Sequence, residues 1–268
     1  MNLPIYQIDA FALDVFSGNP AAVCPLEHWL PDNVMQAIAI ENNLSETAFF
    51  VRTGDRFALR WFTPACEIDL CGHATLASAF LLFTELGYKG GTIRFDTRSG
   101  ELAVTDTGGG LLEMDFPAQS PVPCPAPKAL IEGLGRTPEA VFLAEDFIAV
   151  FPHQEDVASL APDMYALRGL DARGVAATAP GDDVDFVSRF FVPKLGIDED
   201  PVTGSVHCSL TPYWSARLGK KTLRARQISA RGGELVCVDR GNRIGIAGKA
   251  AKYMEGVITV GDETVRSC

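Results

Sequence analysis

Two carboxyl groups and one histidine stand where their side chains could move a proton. Glu46 lies in Ser45-Glu46-Thr47 among apolar neighbours, and Asp200 ends the acidic run Asp198-Glu199-Asp200. A partly desolvated carboxyl can accept and return a proton near neutral pH. His73 could carry a proton or donate to a substrate carboxylate. General acid/base chemistry is one interpretation; the alternative is a strand-start glutamate, a helix-capping aspartate and a structural histidine.

An internal repeat indicates how these residues are positioned. The run 57–64 leads to Gly72 and then Gly87, and the similar run 186–193 leads to Gly204 and then Gly219. The fifteen-residue glycine spacing is the same in both copies. The sequence therefore predicts two pseudo-symmetric domains, 1–117 and 118–268, with the final strand crossing back to the first. Equivalent elements of such domains are expected to face each other across a ligand-binding cleft.

Each copy places a glycine and a polar residue at the start of a helix-length apolar segment. Segment 74–86 is apolar almost all round, which predicts a buried helix ended by Gly87. Its counterpart, 206–218, contains Pro212, which predicts a kink. Free N–H groups and the macrodipole favour an anion at both helix starts, where Ser205 adds a hydroxyl. The alternative is that the glycines only relieve crowding and Ser205 only caps its helix.

The two copies differ in their acidic residues, and these differences indicate where chemistry is placed. Glu46 stands fourteen residues before Arg60, whereas the residue fourteen before Arg189 is Val175. Conversely, the second copy has three extra residues between its proline and its glycine, within the acidic run that ends at Asp200. Each half therefore offers one distinctive carboxyl group.

The remaining pattern predicts a mixed α/β unit in each half. Alternating apolar residues bounded by turn residues predict the strands, and Pro31-Asp32 opens a first helix. Five prolines in 117–127 indicate a linker. In the second half, segment 156–170 takes the place of the first helix. The strands predicted in this way are 6–12, 21–24, 47–52, 57–62, 92–96, 101–105, 111–116 and 175–178.

The cysteines suggest two further alternatives. The chain has seven, without a disulfide pattern, which favours reduced thiols. Cys71 and Cys208 suggest a paired-thiol racemase, or a metal site with His73 and His207. However, the residue matching Cys71 in the second copy is Thr203, and the spacing is not that of a zinc site. Buried inert thiols are the default interpretation, and no metal or cofactor is expected.

Bulk composition excludes several classes of partner. The net charge of −11 argues against nucleic acid and against an anionic membrane surface. Apolar runs are too short for a membrane span, and the first residues lack a signal-peptide pattern. The composition is typical of a cytoplasmic enzyme.

Several motifs together resemble one known family. They are Asp9-Ala10-Phe11, Gly18-Asn19-Pro20-Ala21-Ala22-Val23, Asn43-Leu44-Ser45-Glu46-Thr47-Ala48-Phe49, Cys71-Gly72-His73-Ala74-Thr75-Leu76 and Glu199-Asp200-Pro201-Val202-Thr203-Gly204-Ser205. In this order, across the whole chain, they look like the phenazine-biosynthesis PhzF family. The chain lacks the matched catalytic cysteines of diaminopimelate epimerase.

This resemblance implies both a fold and a reaction. The fold is the diaminopimelate epimerase-like one, an α+β arrangement of two mixed sheets, each wrapped around a central helix. The reaction is cofactor-independent isomerisation of a small amino- or hydroxy-acid, by a glutamate that moves a proton. By position the glutamate is Glu46, with His73 and Asp200 as further catalytic residues and a homodimer as a possible assembly. The substrate-binding residues that it implies are Ser45, Gly72, Gly204 and Ser205.

Overall fold

The computed structural model describes residues 1–261, in which β-strands outnumber helices. The strands are β1 (Asn2–Ala10), β2 (Asn19–Leu26), β3 (Glu46–Thr53), β4 (Arg56–Phe62), β5 (Glu67–Ile68), β6 (Thr92–Thr97), β7 (Gly100–Gly108), β8 (Leu111–Pro117), β9 (Val122–Pro123), β10 (Ala140–Leu143), β11 (Phe147–Val150), β12 (Val175–Pro180), β13 (Phe186–Phe191), β14 (Glu199–Asp200), β15 (Thr222–Gln227), β16 (Gly233–Asp239), β17 (Arg243–Gly248) and β18 (Ala250–Thr259). The helices are α1 (Asp32–Asn42), α2 (Gly72–Thr84), α3 (Lys128–Leu134), α4 (Gln154–Ala158), α5 (Met164–Arg168) and α6 (Gly204–Leu218), with a 3₁₀ turn at Pro193–Leu195. None of the helices within residues 1–261 combines the length and hydropathy needed to cross a membrane.

The chain divides into two compact units. Among the described residues, the first comprises Met1–Asp115 and the segment 248–261, and the second is Phe116–Ala247. In the first unit β1 pairs antiparallel with β2 and with β18. From β2 the sheet continues in parallel to β3, antiparallel to β4, in parallel to β6, and antiparallel to β7 and β8. The result is a mixed sheet.

The second unit has the same order of pairings. Strand β10 pairs antiparallel with β11, and β11 in parallel with β12. Strand β12 is antiparallel to β13, which is parallel to β15, and β16 and β17 follow antiparallel. Each unit also has a short strand on the edge of its long central one, β5 on β4 and β14 on β13. The predicted repeat and mixed α+β fold class are therefore confirmed.

One helix in each unit is buried against its sheet. Helix α2 packs against β1, β2, β3, β7 and β18, and nine of its thirteen residues are buried. Helix α6 packs against β15 and β16. A helix that is apolar around its whole circumference needs cover on every side, which explains why α2 takes the central place. Both helices begin at the predicted glycines, Gly72 and Gly204.

Two helix predictions were wrong. Segment 156–170 is not one helix but two short ones, α4 and α5, because Pro162 disfavours a helical residue before it and Asp163 caps α5 by accepting from the Tyr165 and Ala166 N–H groups. Helix α2 ends at Thr84, three residues before Gly87. Gly87 instead takes a left-handed φ of 68° in the turn that follows. The proline-rich 117–127 contains strand β9, which pairs with β10.

Candidate active site

In the first unit the structure brings two of the predicted catalytic side chains together. Glu46 is the first residue of β3 and His73 the second residue of α2. Glu46 Oε2 lies 3.0 Å from His73 Nε2, and the two side chains are 15% and 8% exposed. The parallel pairing of β2 with β3 sets Glu46 opposite Ala21, at the strand end where α2 begins. Two residues 27 positions apart thus form one acid/base pair.

The facing atoms of this pair are short of hydrogen bonds. Glu46 Oε2 and His73 Nε2 are both buried, and among residues 1–261 neither has a partner with hydrogen-bond alignment, although they lie at ion-pair distance. A buried polar atom left in this state costs free energy that a structural residue would normally avoid. His207 Nε2 is in the same state, so it is the close acid/base pair, and not the missing bond alone, that favours action on a ligand.

The other ring nitrogen fixes where His73 holds its proton. Nδ1 lies 3.3 Å from Asn19 Nδ2 and 3.5 Å from Cys71 Sγ. An amide NH₂ group only donates, so Nδ1 accepts when the ring is neutral, and the ring hydrogen then lies on Nε2. In the imidazolium form both nitrogens are protonated. In either charge state His73 therefore presents Nε2–H towards Glu46.

Two opposing effects act on the pKa of His73. Burial disfavours the imidazolium, but the Cys71 sulfur and the Glu46 carboxylate outweigh it and raise the pKa of His73 well above 6.5. We attribute the direction chiefly to Glu46, since the Cys71 thiol is itself held protonated: burial, and then the Glu46 charge, raise the pKa of Cys71. A positive His73 would place its charge beside the Glu46 carboxylate, 3.0 Å away.

A tight turn brings Asn19 to this histidine. Gly18 precedes β2 with a φ of 68°, and a Cβ atom built there would lie 2.2 Å from the carbonyl oxygen of Ala10. Only glycine fits so close to the backbone in this conformation. The turn places Asn19 opposite Ala10 in the β1–β2 pairing, and Asn19 is fully buried. Asn19 belongs to the motif Gly18-Asn19-Pro20, but nothing in the sequence indicates its contact with His73.

In the second unit, Asp200 is held by the loop that enters α6. The Thr203 hydroxyl donates to Asp200 Oδ2. Gln227, which is fully buried, donates to the Asp200 carbonyl oxygen at 2.7 Å and accepts from the Thr203 N–H at 2.9 Å. Asp200 is thus oriented by the residue that precedes the helix instead of capping the helix itself.

Ser205 is oriented by an arginine that the sequence analysis did not identify. Arg173 Nη2 donates to Ser205 Oγ at 3.1 Å and to Asp146 Oδ2 at 2.6 Å, and its Nε donates to Asp146 Oδ1. The guanidinium also lies over the ring of Phe190. An N–H donated to Ser205 Oγ occupies an oxygen lone pair, so the serine hydroxyl is left to donate elsewhere.

The remaining predicted residues lie at the starts of elements. Neither α2 nor α6 has a side-chain hydrogen bond from its N-cap residue, Cys71 and Thr203 respectively. The first N–H groups of both helices therefore lack the usual side-chain acceptor. Ser45 is half-buried, directly before β3. Of the predicted catalytic residues, Glu46 and His73 are brought into contact within the first unit, while Asp200 belongs to the second.

His207, considered above as a metal ligand, has a different environment. It lies in the first turn of α6, fully buried, and its Nδ1–H donates to the Thr203 carbonyl oxygen at 2.6 Å. Burial lowers the pKa of His207 to about 4. The ring is therefore neutral at pH 7, and its role is structural.

This histidine makes the fold sensitive to acid. Between about pH 6.5 and pH 4 the unfolded chain binds a proton at His207 that the folded chain does not, so stability falls as the pH is lowered across that window. The difference amounts to about 3 kcal/mol. We predict that urea unfolding of His207→Asn at a series of pH values has a smaller slope than the wild type in this window. Identical slopes would contradict the assignment.

Comparisons with known proteins add to this geometry. Residues 8–256 match a family described as phenazine biosynthesis-like proteins, PhzC-PhzF. An uncharacterized isomerase of Pseudomonas aeruginosa is 54% identical over 258 residues, which cover 96% of this chain and 99% of that protein. The crystal structure of a PhzF-family protein of Enterococcus faecalis has a TM-score of 0.95 at 50% identity and covers 97% of this chain and 100% of its own.

A more distant likeness concerns the fold alone. The hydroxyproline epimerase of Agrobacterium vitis, solved with trans-4-hydroxy-L-proline, has a TM-score of 0.62 at 11% identity and covers 98% of this chain and 94% of its own. The fold is thus shared at a very low level of sequence identity.

Proposed function

Since this chain belongs to the PhzC-PhzF family of phenazine biosynthesis-like proteins, we propose that it moves a proton within a small amino- or hydroxy-carboxylic acid without a cofactor. An isomerase-type activity follows from relatives that are named isomerases. The proposal that Glu46 moves the proton rests on its buried pair with His73, whose facing atoms lie 3.0 Å apart without an aligned hydrogen bond.

In this proposal Glu46 acts first as a base and then as an acid. Its carboxylate removes a hydrogen from a carbon of the substrate, and the electron pair of that C–H bond moves into the adjacent unsaturated or carboxylate-bearing system. The protonated Glu46 then returns the hydrogen to a second carbon, or to the other face of the first. His73, whose Nε2 lies 3.0 Å from the carboxylate, positions Glu46 for this step.

The substrate's carboxylate would be held by backbone and hydroxyl donors. Gly72 and Gly204 begin helices whose N-caps make no side-chain hydrogen bond, and such helix starts favour anions. Ser205 has a hydroxyl that Arg173 leaves free to donate. We assign Asp200 to a polar group of the substrate, and Ser45, beside Glu46, to substrate binding. Donors fixed before the reaction stabilise charge that develops during it.

Proton movement can be tested without knowing the natural substrate. The protein would be incubated in heavy water with a panel of small carboxylic acids, including cyclic dihydro-hydroxy amino acids. We expect deuterium uptake or a shifted double bond in at least one of them, as detected by NMR and mass spectrometry. Tight binding of a compound that neither exchanges nor isomerises would instead favour a non-catalytic binding module on the same scaffold.

A thiol-dependent racemase is the other alternative. The N-cap of α2 is Cys71 but that of α6 is Thr203, so the two helix starts lack matched thiols. We predict that replacing both Cys71 and Cys208 with alanine leaves turnover within about tenfold of the wild type, a difference of about 1.4 kcal/mol. Loss of all turnover in a variant with a normal circular dichroism spectrum would instead indicate a mechanism that depends on the thiols.

The proposal extends to the setting of the enzyme. We assign it to the cytoplasm, to a biosynthetic process and to a homodimer. The acidic composition supports the first of these, because it disfavours anionic membrane surfaces. Light scattering of the purified protein would give the mass of two chains if the dimer forms, and of one chain if it does not.

A further inference from the structure

Three kinds of metal ligand converge in the first unit. Glu46, Cys71 and His73 each offer one ligand atom, and the three atoms lie within 4.8 Å of one another. Cys71 and His73 are buried and Glu46 is half-buried. Carboxylate, thiolate and imidazole are the protein ligands that Zn²⁺ takes, and an open site uses three of them.

The separations fit a tetrahedral ion. Zinc bonds of about 2.3 Å to sulfur and about 2.0 Å to nitrogen place two such ligands about 3.5 Å apart at the tetrahedral angle. Cys71 Sγ and His73 Nδ1 are separated by 3.5 Å. A Glu46 carboxylate oxygen lies within 4.8 Å of the Cys71 sulfur and of a ring nitrogen of His73, which leaves it within reach of the same ion.

Unpaired atoms provide an independent observation. Glu46 Oε2 and His73 Nε2 are buried without an aligned hydrogen-bond partner in the part of the chain that the structure describes. An ion bonded to the Glu46 carboxylate would give its buried oxygen a partner. The charge of Glu46 would also offset part of the positive charge brought into the buried site.

We propose that Glu46, Cys71 and His73 form a binding site for one thiophilic divalent cation of the Zn²⁺ type, which acts as an inhibitor and not as a cofactor. The ion bonds the Cys71 sulfur and His73 Nδ1, each of which releases its proton to solvent, together with the Glu46 carboxylate; the Asn19 amide turns away from Nδ1 to admit it. The inhibitory effect rests on the function proposed above, because an occupied Glu46 cannot accept a proton from carbon. Binding itself does not depend on that function.

Cobalt is a suitable probe because it takes the place of zinc and absorbs light when bound by thiolate. Protein stripped with a chelator would be titrated with Co²⁺ and then with Zn²⁺. We expect one equivalent of Co²⁺ to give a thiolate charge-transfer band and tetrahedral visible bands, both abolished by one equivalent of Zn²⁺. A wild-type cobalt complex without the thiolate band would overturn the proposal, whatever the variants do.

Matched variants identify the ligands. Cys71→Ser should lose the thiolate band, and Cys71→Ser, His73→Gln and Glu46→Gln should each bind Zn²⁺ at least tenfold more weakly. The control is Cys66→Ser, which removes an exposed thiol of the same unit and should bind as the wild type does. Unchanged affinity in Cys71→Ser, or loss of the band in Cys66→Ser, would refute the site. Zinc binding without any deuterium exchange would support the metal site and contradict the proposed isomerisation. Deuterium exchange without zinc binding would support the isomerisation and contradict the metal site.

Discussion

Glu46→Gln is expected to abolish deuterium uptake by a substrate that the wild type exchanges. Glutamine keeps the shape of the side chain and removes its capacity to accept a proton from carbon. General acid/base catalysis contributes about 10²- to 10⁴-fold, so the loss of the sole proton carrier should lower the rate by at least that factor. The measurement is the initial rate of deuterium incorporation by NMR, with ligand binding followed separately and expected to persist.

The control for this prediction is Glu41→Gln. Glu41 is an exposed glutamate on α1 of the same unit, and its replacement changes the net charge by the same amount. It should exchange deuterium at the wild-type rate. Turnover of an identified substrate at the normal rate by Glu46→Gln would show that Glu46 does not carry the proton.

Arg173→Met is expected to destabilise the second unit by about 3–5 kcal/mol, the cost of leaving a buried charge unpaired. Asp146 is 3% exposed and is bonded by two nitrogens of Arg173. Burial raises the pKa of Asp146 even beside this arginine. The cost of burying the two charges therefore offsets much of their attraction, and the intact pair adds little to the stability of the fold. Removing one partner alone is costly, because the other remains in a poorly solvated place. Urea unfolding at pH 7 would measure the loss.

Two variants separate this effect from a general loss of charge. Arg136→Met breaks an ion pair with Asp156 in which both side chains are more exposed, and it should cost less than about 1 kcal/mol. Adding Asp146→Asn to Arg173→Met removes the stranded charge and should recover much of the lost stability. Equal losses of unfolding free energy in Arg136→Met and Arg173→Met would show that burial of an ion pair does not determine the cost of breaking it.

Much of the architecture follows from sequence because the chain repeats itself. The runs that become β4 and β13, and the glycines that begin α2 and α6, could be matched by eye without a structure. Periodicity also identified the buried character of α2. Segment 156–170 was misjudged because its apolar residues continue across Pro162, where the backbone requires a break.

The finer site could not be predicted from the sequence. The family motifs place Glu46 and His73 in one site, but their contact depends on the parallel pairing of β2 with β3, which no local pattern encodes. Arg173 lies in a stretch of ordinary surface composition, and only the fold places it against Asp146 and Ser205. The contact between a strand end and a helix start that are far apart in sequence is set by tertiary structure.

The pairing of β1 with β18 has a consequence for the order in which the protein can be completed during synthesis. Strand β1 runs over residues 2–10, yet its antiparallel partner is made only when residues 250–259 have been translated. The second unit, in contrast, is continuous in sequence from Phe116 to Ala247. Its ladders can all form while the first unit still has an open sheet edge, which is the kind of edge that chaperones protect on the ribosome. The half that contains Glu46 and His73 is therefore the first to be made and the last to be finished.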